Sequence, residues 1–432
     1  MSQFPTEAKR NRLRPVPARP GGGGRRPSTN TISFLNIGMH GYINPTLPVV
    51  AELARRGHTV TYHTFPTFAA EIEAAGAKVH LYSGGDLPLP DPPIPLAMLE
   101  ELARTALGLL PGVLSDLRGT RPDLIVHGAA CPWGAVAARE LGVPAAATFT
   151  TFGFNRQVPS PTGLSRELVA AAAARPRIGW GYVRARWALY RSYDTGGLPL
   201  TDLMNAREPL NLVFTSSAFQ PGGDAFDPSY RFVGASVGSR PADPGFDAVR
   251  LEDPVLYASL GTVFDAGPAL LRTFATALAP MGGTVVVSTG HTDPADLGPL
   301  PPNVLAWRSV PQLQVLDRAA LFVTHGGMNS VNEAMRAGVP TLVVPQGADQ
   351  PLVARRVAEL GAGLALRTED ATAETVHALA RRLLDEPRFR EAAAAQRAAQ
   401  QQAGGAQRAA DELERYLDDA RERTATDQAW GR

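Results

Sequence analysis

The feature that most constrains the fold of this chain is an alternation of two patterns, which runs through the sequence twice. Short apolar runs with the length of buried strands are followed by segments whose apolar residues recur at helical spacing. Strand–helix–strand units of this kind connect by right-handed crossovers and build parallel sheets. The sequence therefore predicts an α/β protein with two Rossmann-like parallel sheets, whose ligands bind at the carboxyl ends of the strands.

The first series begins abruptly at Thr31. Its first helix is predicted to start at Asn44-Pro45, because Asn can cap free amides and Pro has the φ of a first helical residue, and to end at Gly57. Residues 151–204 show no clear period, so we expect them to be irregular. Strands are predicted at 32–37, 58–64, 78–82, 123–127, 144–149 and 212–215, and further helices at 68–75, 99–117 and 135–141.

The second series follows a stretch rich in Pro, Gly, Asp and Ser, residues 220–253, which is predicted to be the interdomain linker. We expect an N-terminal domain at 31–238 and a C-terminal domain at 239–432, facing each other across a cleft. The predicted strands are 255–259, 284–288, 321–324 and 341–344, with helices after Gly267, Gln312, Met328 and Asp349. From about 372 to 422 the pattern is helical, with breaks at Pro387 and Gly404-Gly405, and these last helices can pack back on the first domain.

Residues 1–30 differ from the rest in composition. They contain seven basic residues against a single acidic one, Glu7, together with four consecutive glycines and few apolar side chains. Such a segment cannot bury enough apolar surface to offset the entropy of ordering, so we expect a disordered basic arm. It also lacks the apolar central region of a secretory signal.

Composition excludes several classes of protein. A net charge of +1 over 432 residues argues against a dedicated nucleic-acid-binding protein. The single cysteine, Cys131, excludes an intramolecular disulfide and a cysteine-rich metal site, and it favours a cytoplasmic location. Because no run of about 18 strongly apolar residues occurs, we expect no membrane insertion. The sequence leaves open whether the protein is a monomer or a homodimer.

The segment from Thr324 to Glu333 carries the strongest chemical signal. A predicted strand ends at Thr324, and Gly326 and Gly327 lead directly into a helix. Glycines at the mouth of a helix let a ligand approach the backbone closely, and the free amides there bind anions. Glu333, about one turn further on, can accept hydrogen bonds from a pair of ribose hydroxyls. Taken alone, these residues leave a second interpretation open, a glycine turn capped by Ser and Asn.

This segment lies among further motifs. They are Val310-Pro311-Gln312, Thr324-His325-Gly326-Gly327, Asn329-Ser330, Glu333, Gly338-Val339-Pro340, Pro345, Asp349-Gln350, His40-Gly41, Asn44-Pro45-Thr46-Leu47 and Ser259-Leu260-Gly261-Thr262. Together they resemble the inverting glycosyltransferases of the GT-B fold, the family of the bacterial macrolide glycosyltransferases and the plant natural-product enzymes. The resemblance covers most of residues 31–420, loosely between about 85 and 200.

The resemblance implies roles for the positions at the helix mouth. His325, Asn329 and Ser330 would hold a nucleotide diphosphate, and Glu333 would hold the ribose. Gly327 and Thr262 belong to the same implied nucleotide-sugar site. No Asp-x-Asp motif is present, so no metal is evidently supplied, and the helix amides with His325 could stabilise the departing diphosphate instead.

The remaining donor positions concern the base and the sugar. The resemblance implies that Val310 and Gln312 contact the base edge, and that Asp349 and Gln350 bind hydroxyls of the donor sugar. The alternative for Asp349-Gln350 is a helix N-cap. The family places an aromatic residue before Val310 to stack on the base, but this chain has Ser309 there. We therefore expect weaker stacking, and the preference between uridine and thymidine donors stays open.

His40 is the candidate catalytic base. It follows the first predicted strand, and a neutral imidazole can take a proton from an acceptor hydroxyl as that oxygen attacks the anomeric carbon. In the family a carboxylate normally orients this histidine, but Gly128 occupies the matching position here. His127 or a carboxylate from the loops could replace it, the acceptor could need little activation, or catalysis could be lost.

These observations predict a metal-independent, inverting hexosyltransferase. It would use a UDP- or TDP-sugar as co-substrate, need no other cofactor, and act on a hydroxyl of a small hydrophobic acceptor such as a macrolide, polyketide or flavonoid. Aromatic residues between 96 and 193 would suit that acceptor or belong to the core; they include Phe152, Phe154, Trp180, Trp187 and Tyr190. The alternatives are a non-catalytic partner of another transferase and a nucleotide-sugar epimerase.

Overall fold

The computed structural model describes residues 29–83, 87, 94–160, 166–238, 245–247, 251–261 and 267–430. It contains two parallel sheets, one of seven strands and one of six, which confirms the predicted fold class. The predicted basic arm, apart from its last two residues, lies outside the described residues, and so does Thr262.

The first sheet is built from residues 31–232. Its strands are β1 (Thr31–Leu35), β2 (Thr59–Thr64), β3 (Lys78–Leu81), β4 (Leu124–Gly128), β5 (Ala145–Phe149), β6 (Leu210–Val213) and β7 (Tyr230–Phe232). They lie in the order β3-β2-β1-β4-β5-β6-β7. Strands β4 and β5 are buried along their whole length, and their sequences are accordingly mostly apolar and do not alternate.

The helices of this part cover both faces of the sheet. They are α1 (His40–Ile43), α2 (Leu47–Arg55), α3 (Ala69–Ala74), α4 (Pro95–Thr120), α5 (Pro132–Leu141), α6 (Arg166–Ala174) and α7 (Pro176–Ser192). Helices α4, α5 and α7 contribute to one apolar core, and α2 and α3 contribute to a second one.

The expectation of irregular structure over residues 151–204 is wrong, because α6 and α7 lie there. Tyr182, Ala185 and Leu189 recur at helical spacing and are buried in the core that α4 also lines. Exposed aromatic residues on the same helix, among them Trp180 and Trp187, obscure this stripe in the sequence.

The second sheet occupies the C-terminal half. Its strands are β8 (Val255–Ser259), β9 (Thr284–Ser288), β10 (Val304–Trp307), β11 (Ala319–Thr324), β12 (Thr341–Val343) and β13 (Gly363–Ala365), in the order β10-β9-β8-β11-β12-β13. Its helices are α8 (Gly267–Leu278), α9 (Gln312–Leu316), α10 (Met328–Ala337), α11 (Gln350–Glu359), α12 (Ala373–Asp385), α13 (Pro387–Ala403) and α14 (Gly405–Trp430).

Three strands were not predicted, and all three lie at sheet edges. Strand β7 falls within the predicted linker, while β10 and β13 form the two edges of the second sheet. Each has only three or four residues. A run that short carries no clear periodicity, so its pairing with a neighbouring strand decides its conformation.

The last helix, α14, packs against the first sheet rather than the second. Ala409, Ala410, Leu413 and Leu417 are buried in the core that β1 and α2 also form. Arg56 adds ion pairs to Asp411 at 2.7 Å and to Glu414 at 2.6 Å. Partly exposed pairs of this kind contribute little, so apolar burial is the main stabilising term.

Both strand orders place reversal points where ligands bind in such sheets. In the first sheet the order reverses between β1 and β4, and in the second between β8 and β11. The segments that follow these four strands therefore border two crevices. Within the described ranges, no helix combines the length and apolar character that crossing a membrane requires.

Candidate active site

The turn that carries His40 follows β1 and is anchored by buried polar groups. The Asn36 side-chain amide donates to the Tyr42 carbonyl at 3.0 Å, and the Ile37 amide donates to the Asn36 Oδ1 at 3.0 Å. The Thr46 hydroxyl donates to the Ile43 carbonyl at 2.7 Å. These bonds fix the backbone of α1 and hence the place from which His40 projects.

The His40 side chain itself is exposed, at the first position of α1. Its imidazole makes an edge contact with the Phe68 ring, with centroids 4.8 Å apart. No residue of the described ranges forms a hydrogen bond with this imidazole. The ring is therefore oriented by packing alone and is accessible to an acceptor.

The structure explains how Gly128, at the end of β4, is accommodated. A Cβ at this position would lie 2.3 Å from the Oδ1 of Asn36, so the Asn36 side chain fills the space that a larger residue would need. Asn36 was missed by the sequence analysis, although a polar residue directly after a buried strand at the reversal point was a usable signal.

His127 does not replace the missing carboxylate. Its side chain is fully buried, with Nε2 3.1 Å from the Glu208 carboxylate and Nδ1 2.9 Å from the Gly128 carbonyl oxygen. Adjacent residues of a strand point to opposite faces, so His127 faces away from the space beside Gly128. The suggestion that His127 could orient His40 is therefore wrong for this structure.

His325 lies in a narrow slot formed by two glycines. A Cβ on Gly261 would lie 2.7 Å from its Cε1, and a Cβ on Gly327 would lie 2.4 Å from its Nε2. Burial lowers the pKa of His325 to about 4, so the imidazole is neutral near pH 7. Its Nδ1 has no hydrogen-bond partner among the residues described.

Asn329 and Ser330 lie in the first turn of α10, where the helix amides have no helical partners. The Asn329 side-chain amide donates to the Gly41 carbonyl at 3.1 Å, across the cleft. Asn329 and Glu333 also line one small cavity together with Pro45 of the first domain. The helix mouth and the His40 turn therefore form a single site.

Glu333 is buried and paired. The Gln312 amide donates to its carboxylate at 2.5 Å, and the Tyr257 hydroxyl donates to the Gln312 Oε1 at 2.9 Å. The same Gln312 amide lies 3.5 Å from the Ser330 hydroxyl. Gln312 and Glu333, assigned to base and ribose, are thus brought into one chain of hydrogen bonds. Tyr257 was missed, because a tyrosine inside a buried strand carries no distinctive sequence signal.

Asp349 is not a side-chain cap of α11, although it occupies the N-cap position. Its carboxylate makes no capping bond and instead accepts a hydrogen bond from the Thr151 hydroxyl of the first domain at 2.6 Å. Desolvation raises the pKa of this carboxyl. The preceding residue, Ala348, has φ 55°, a left-handed conformation that turns the chain toward the cleft.

Gln350 is buried, and its side-chain carbonyl accepts from the backbone amides of Gln346 at 2.7 Å and Gly347 at 3.1 Å. It therefore shapes the loop that carries Asp349. The side-chain carbonyl is already engaged within its own loop.

The residues assigned to the nucleobase differ in which of their groups can reach it. Ser309 is exposed, whereas the Val310 side chain is buried in the core, so only its backbone can reach a base. Trp307 makes an edge contact with Phe246, at a centroid distance of 5.8 Å, and packs against the same core. Trp307, the aromatic residue two positions before Ser309, is therefore engaged in core packing.

Of the aromatic residues considered for the acceptor, Phe152 and Phe154 are core residues, exposed by 1% and 7%. Trp180, Trp187 and Tyr190 lie exposed on α7.

Two parallel sheets facing one cleft, with the first turn of α10 joined to the turn of an exposed histidine, are the arrangement of the GT-B glycosyltransferases. Comparison with known proteins agrees. Residues 272–414 match the family described as Erythromycin biosynthesis protein CIII-like, C-terminal domain. The chain is 32% identical over 393 residues to NDP-glycosyltransferase YjiC of Bacillus subtilis, covering 89% of this chain and 97% of the relative.

Other relatives lead to the same result. Oleandomycin glycosyltransferase of Streptomyces antibioticus is 33% identical, with 91% of this chain and 92% of the relative covered. The crystal structure of the glycotransferase of kitacinnamycin superposes with a TM-score of 0.79 at 30% identity, covering 90% of this chain and all of the other. This chain belongs to the bacterial macrolide-type glycosyltransferases and is a hexosyltransferase.

Proposed function

We propose that this enzyme transfers a hexose from a UDP- or TDP-sugar to a hydroxyl of a small hydrophobic natural product, with inversion and without a metal. The observation that carries the proposal is the hydrogen bond from Asn329 to the Gly41 carbonyl. It joins the anion-binding mouth of α10 to the turn of His40, so a donor diphosphate and a catalytic base share one cleft.

The donor diphosphate binds at the mouth of α10. Free amides and the positive end of the helix dipole attract it, and His325, Asn329 and Ser330 supply side-chain donors. The ribose hydroxyls then donate to the buried Glu333 carboxylate, in place of the Gln312 amide that donates to it in the structure. Asp349, turned into the cleft beside Thr151, accepts hydrogen bonds from the sugar hydroxyls.

The reaction is a single displacement. The acceptor oxygen attacks the anomeric carbon while His40 takes its proton, and the bond from that carbon to the diphosphate oxygen breaks. The diphosphate leaves with the electron pair, and the amides of α10 with His325 stabilise its charge. One displacement at one carbon inverts its configuration.

The space filled by Asn36 shapes this mechanism. Without a carboxylate at residue 128, the imidazolium formed on His40 is stabilised by solvent, which its exposed position admits. An acidic acceptor hydroxyl, such as a phenol, transfers its proton with less help from the base. We therefore assign phenolic hydroxyls as the preferred acceptors.

Product analysis by mass spectrometry tests this function. The purified protein is incubated with a panel of phenolic and aliphatic aglycones and with several UDP- and TDP-sugars, with and without EDTA. The expected result is a hexose adduct, retained in EDTA, whose anomeric proton coupling shows inversion of the donor configuration. A product with retained configuration contradicts the mechanism. Loss of turnover in EDTA also contradicts it, when the assay temperature is well below the unfolding temperature of the protein in EDTA. If no pair of donor and acceptor gives transfer or donor hydrolysis, the result favours the non-catalytic alternative. If the donor is epimerised, the result favours the epimerase.

A further inference from the structure

Two histidines and an aspartate meet at the β3 edge of the first sheet, outside the donor and base residues. His63 of β2 and His80 of β3 are partners in the strand register. Their imidazoles stack with centroids 4.9 Å apart and an interplanar angle of 18°. Asp116 of α4 approaches both rings, so the cluster joins three elements.

The distances within this cluster suit one metal ion. The Asp116 Oδ2 lies 3.7 Å from the His63 Nε2 and 3.9 Å from the His80 Nδ1. One ligand atom from each residue lies within 4.8 Å of the other two. Bonds of about 2.1 Å in tetrahedral geometry place ligand atoms about 3.4 Å apart. Small rotations of the side chains therefore bring the three atoms to that spacing.

The buried nitrogens of the cluster point to an absent ligand. The His63 side chain is 1% exposed, yet neither of its nitrogens has a hydrogen-bond partner within the described part of the chain. Buried polar atoms are seldom left unsatisfied, because each costs the loss of its hydration. The His63 Nε2 is the nitrogen that lies next to Asp116, so a metal bound there would satisfy one of the two unpartnered His63 nitrogens.

We propose that His63, His80 and Asp116 form a Zn²⁺ site with three protein ligands. Imidazole and carboxylate are ligands that Zn²⁺ accepts, in a tetrahedral arrangement. The Asp116 side chain is 43% exposed, so the site opens toward solvent at this residue. That opening gives the ion an entry path and leaves the fourth position to water.

The role that we assign to this ion is to stabilise the fold. It ties the edge strand β3 to β2 and to α4, and none of its three ligands is among the residues assigned to the donor or to the base. Because a metal that binds only the folded state adds its binding free energy to folding, Zn²⁺ raises the stability of the protein.

The test uses the full-length protein stripped with a chelator, and a chromophoric chelator as the competitor for Zn²⁺. We expect one equivalent of Zn²⁺ to bind, a tetrahedral Co²⁺ spectrum in the visible range, and a higher Tm with Zn²⁺. Asp116→Asn and His80→Gln should each weaken binding by at least about tenfold and remove the Co²⁺ spectrum. Both residues are partly exposed, so these variants preserve the buried His63.

Asp385→Asn, on the exposed face of α12, is the matched control and should bind Zn²⁺ like the wild type. Circular dichroism of the metal-free variants verifies that they fold. Absence of stoichiometric Zn²⁺ binding by the folded wild type would overturn the proposal. Equal affinity of the wild type and the two ligand variants would overturn it as well.

Discussion

The Oδ1 of Asn36 lies 2.3 Å from the position that a Cβ on Gly128 would take, so the two residues divide one space between adjacent strands. Asn36 is held there by its bonds to the Tyr42 carbonyl and the Ile37 amide. In this chain, the Asn36 side chain therefore fills this space and anchors the backbone of the turn that carries His40. A carboxylate at residue 128 would therefore require the Asn36 side chain to move from this position.

Introducing a carboxylate at residue 128, without a change at Asn36, should destabilise the protein. We expect Gly128→Asp to lower the free energy of unfolding by about 1–3 kcal/mol, the usual effect of overpacking. In Asn36→Ala/Gly128→Asp the clash is absent, so the double variant should be more stable than the two single effects predict. Urea unfolding of all four proteins measures this coupling. Gly128→Asp with wild-type stability would show that the asparagine yields freely.

Removing the base should lower turnover strongly without affecting the donor site. We expect His40→Ala to lower kcat by about 10²–10⁴-fold, the usual contribution of a general base. Its Kd for UDP or TDP should stay within about twofold, because the imidazole is exposed and packs on the Phe68 ring of the first domain. Product formation and calorimetry measure the two quantities. His377→Ala, on α12, serves as the control, and normal turnover of His40→Ala would refute the assignment.

The buried carboxylate of Glu333 should govern nucleotide affinity. Loss of charged hydrogen bonds worth about 1.5–3 kcal/mol predicts that Glu333→Ala weakens UDP or TDP binding by about 10–150-fold. Gln312→Ala should show a smaller loss that is not additive with it, since the two side chains are 2.5 Å apart. Glu359→Gln on α11 is the control. Unchanged affinity in Glu333→Ala, measured by calorimetry, would exclude the ribose role.

Acceptor acidity should matter more than usual for this enzyme. With no carboxylate to stabilise the imidazolium of His40, we expect kcat/KM to be at least about tenfold higher for phenolic than for aliphatic hydroxyls on matched aglycones. In Asn36→Ala/Gly128→Asp, that ratio should fall, because the new carboxylate can assist the base. Equal kcat/KM for both hydroxyl types in the wild type would contradict the inference that His40 activates the acceptor hydroxyl only weakly.

Acid should destabilise the protein partly through His325. Its pKa falls from about 6.5 in the unfolded chain to about 4 in the folded one, because burial disfavours the charged form. The unfolded state therefore binds more protons between these values, so stability is full above pH 6.5 and is lost as the pH falls toward 4. Urea unfolding at pH 7 and pH 4.5 should show a smaller decrease in His325→Asn. An identical decrease in stability in the wild type and in His325→Asn would contradict this contribution of His325.

Local signals in the sequence accounted for most of the fold and for the donor motif. Buried strands such as β4 and β8 are apolar runs, and the glycines before α10 mark a helix mouth, because both depend on neighbouring residues. The elements that were missed depend on distant contacts. Strands β7, β10 and β13 are short edges defined by pairing, and the apolar stripe of α7 is obscured in the sequence by the exposed aromatic residues on the same helix.

The sequence by itself determined the class of fold and the position of helix α10, and it predicted an anion site at the start of that helix and His40 as the candidate base. Only the tertiary structure decided what surrounds them. Asn329 reaches Gly41 across 288 residues of chain, Asn36 fills the gap at Gly128 from a neighbouring strand, and His63 meets His80 and Asp116. The physical reason is that periodicity and turn chemistry depend on residues close in the sequence. Which side chain fills a given space in the structure depends instead on how distant strands pack together.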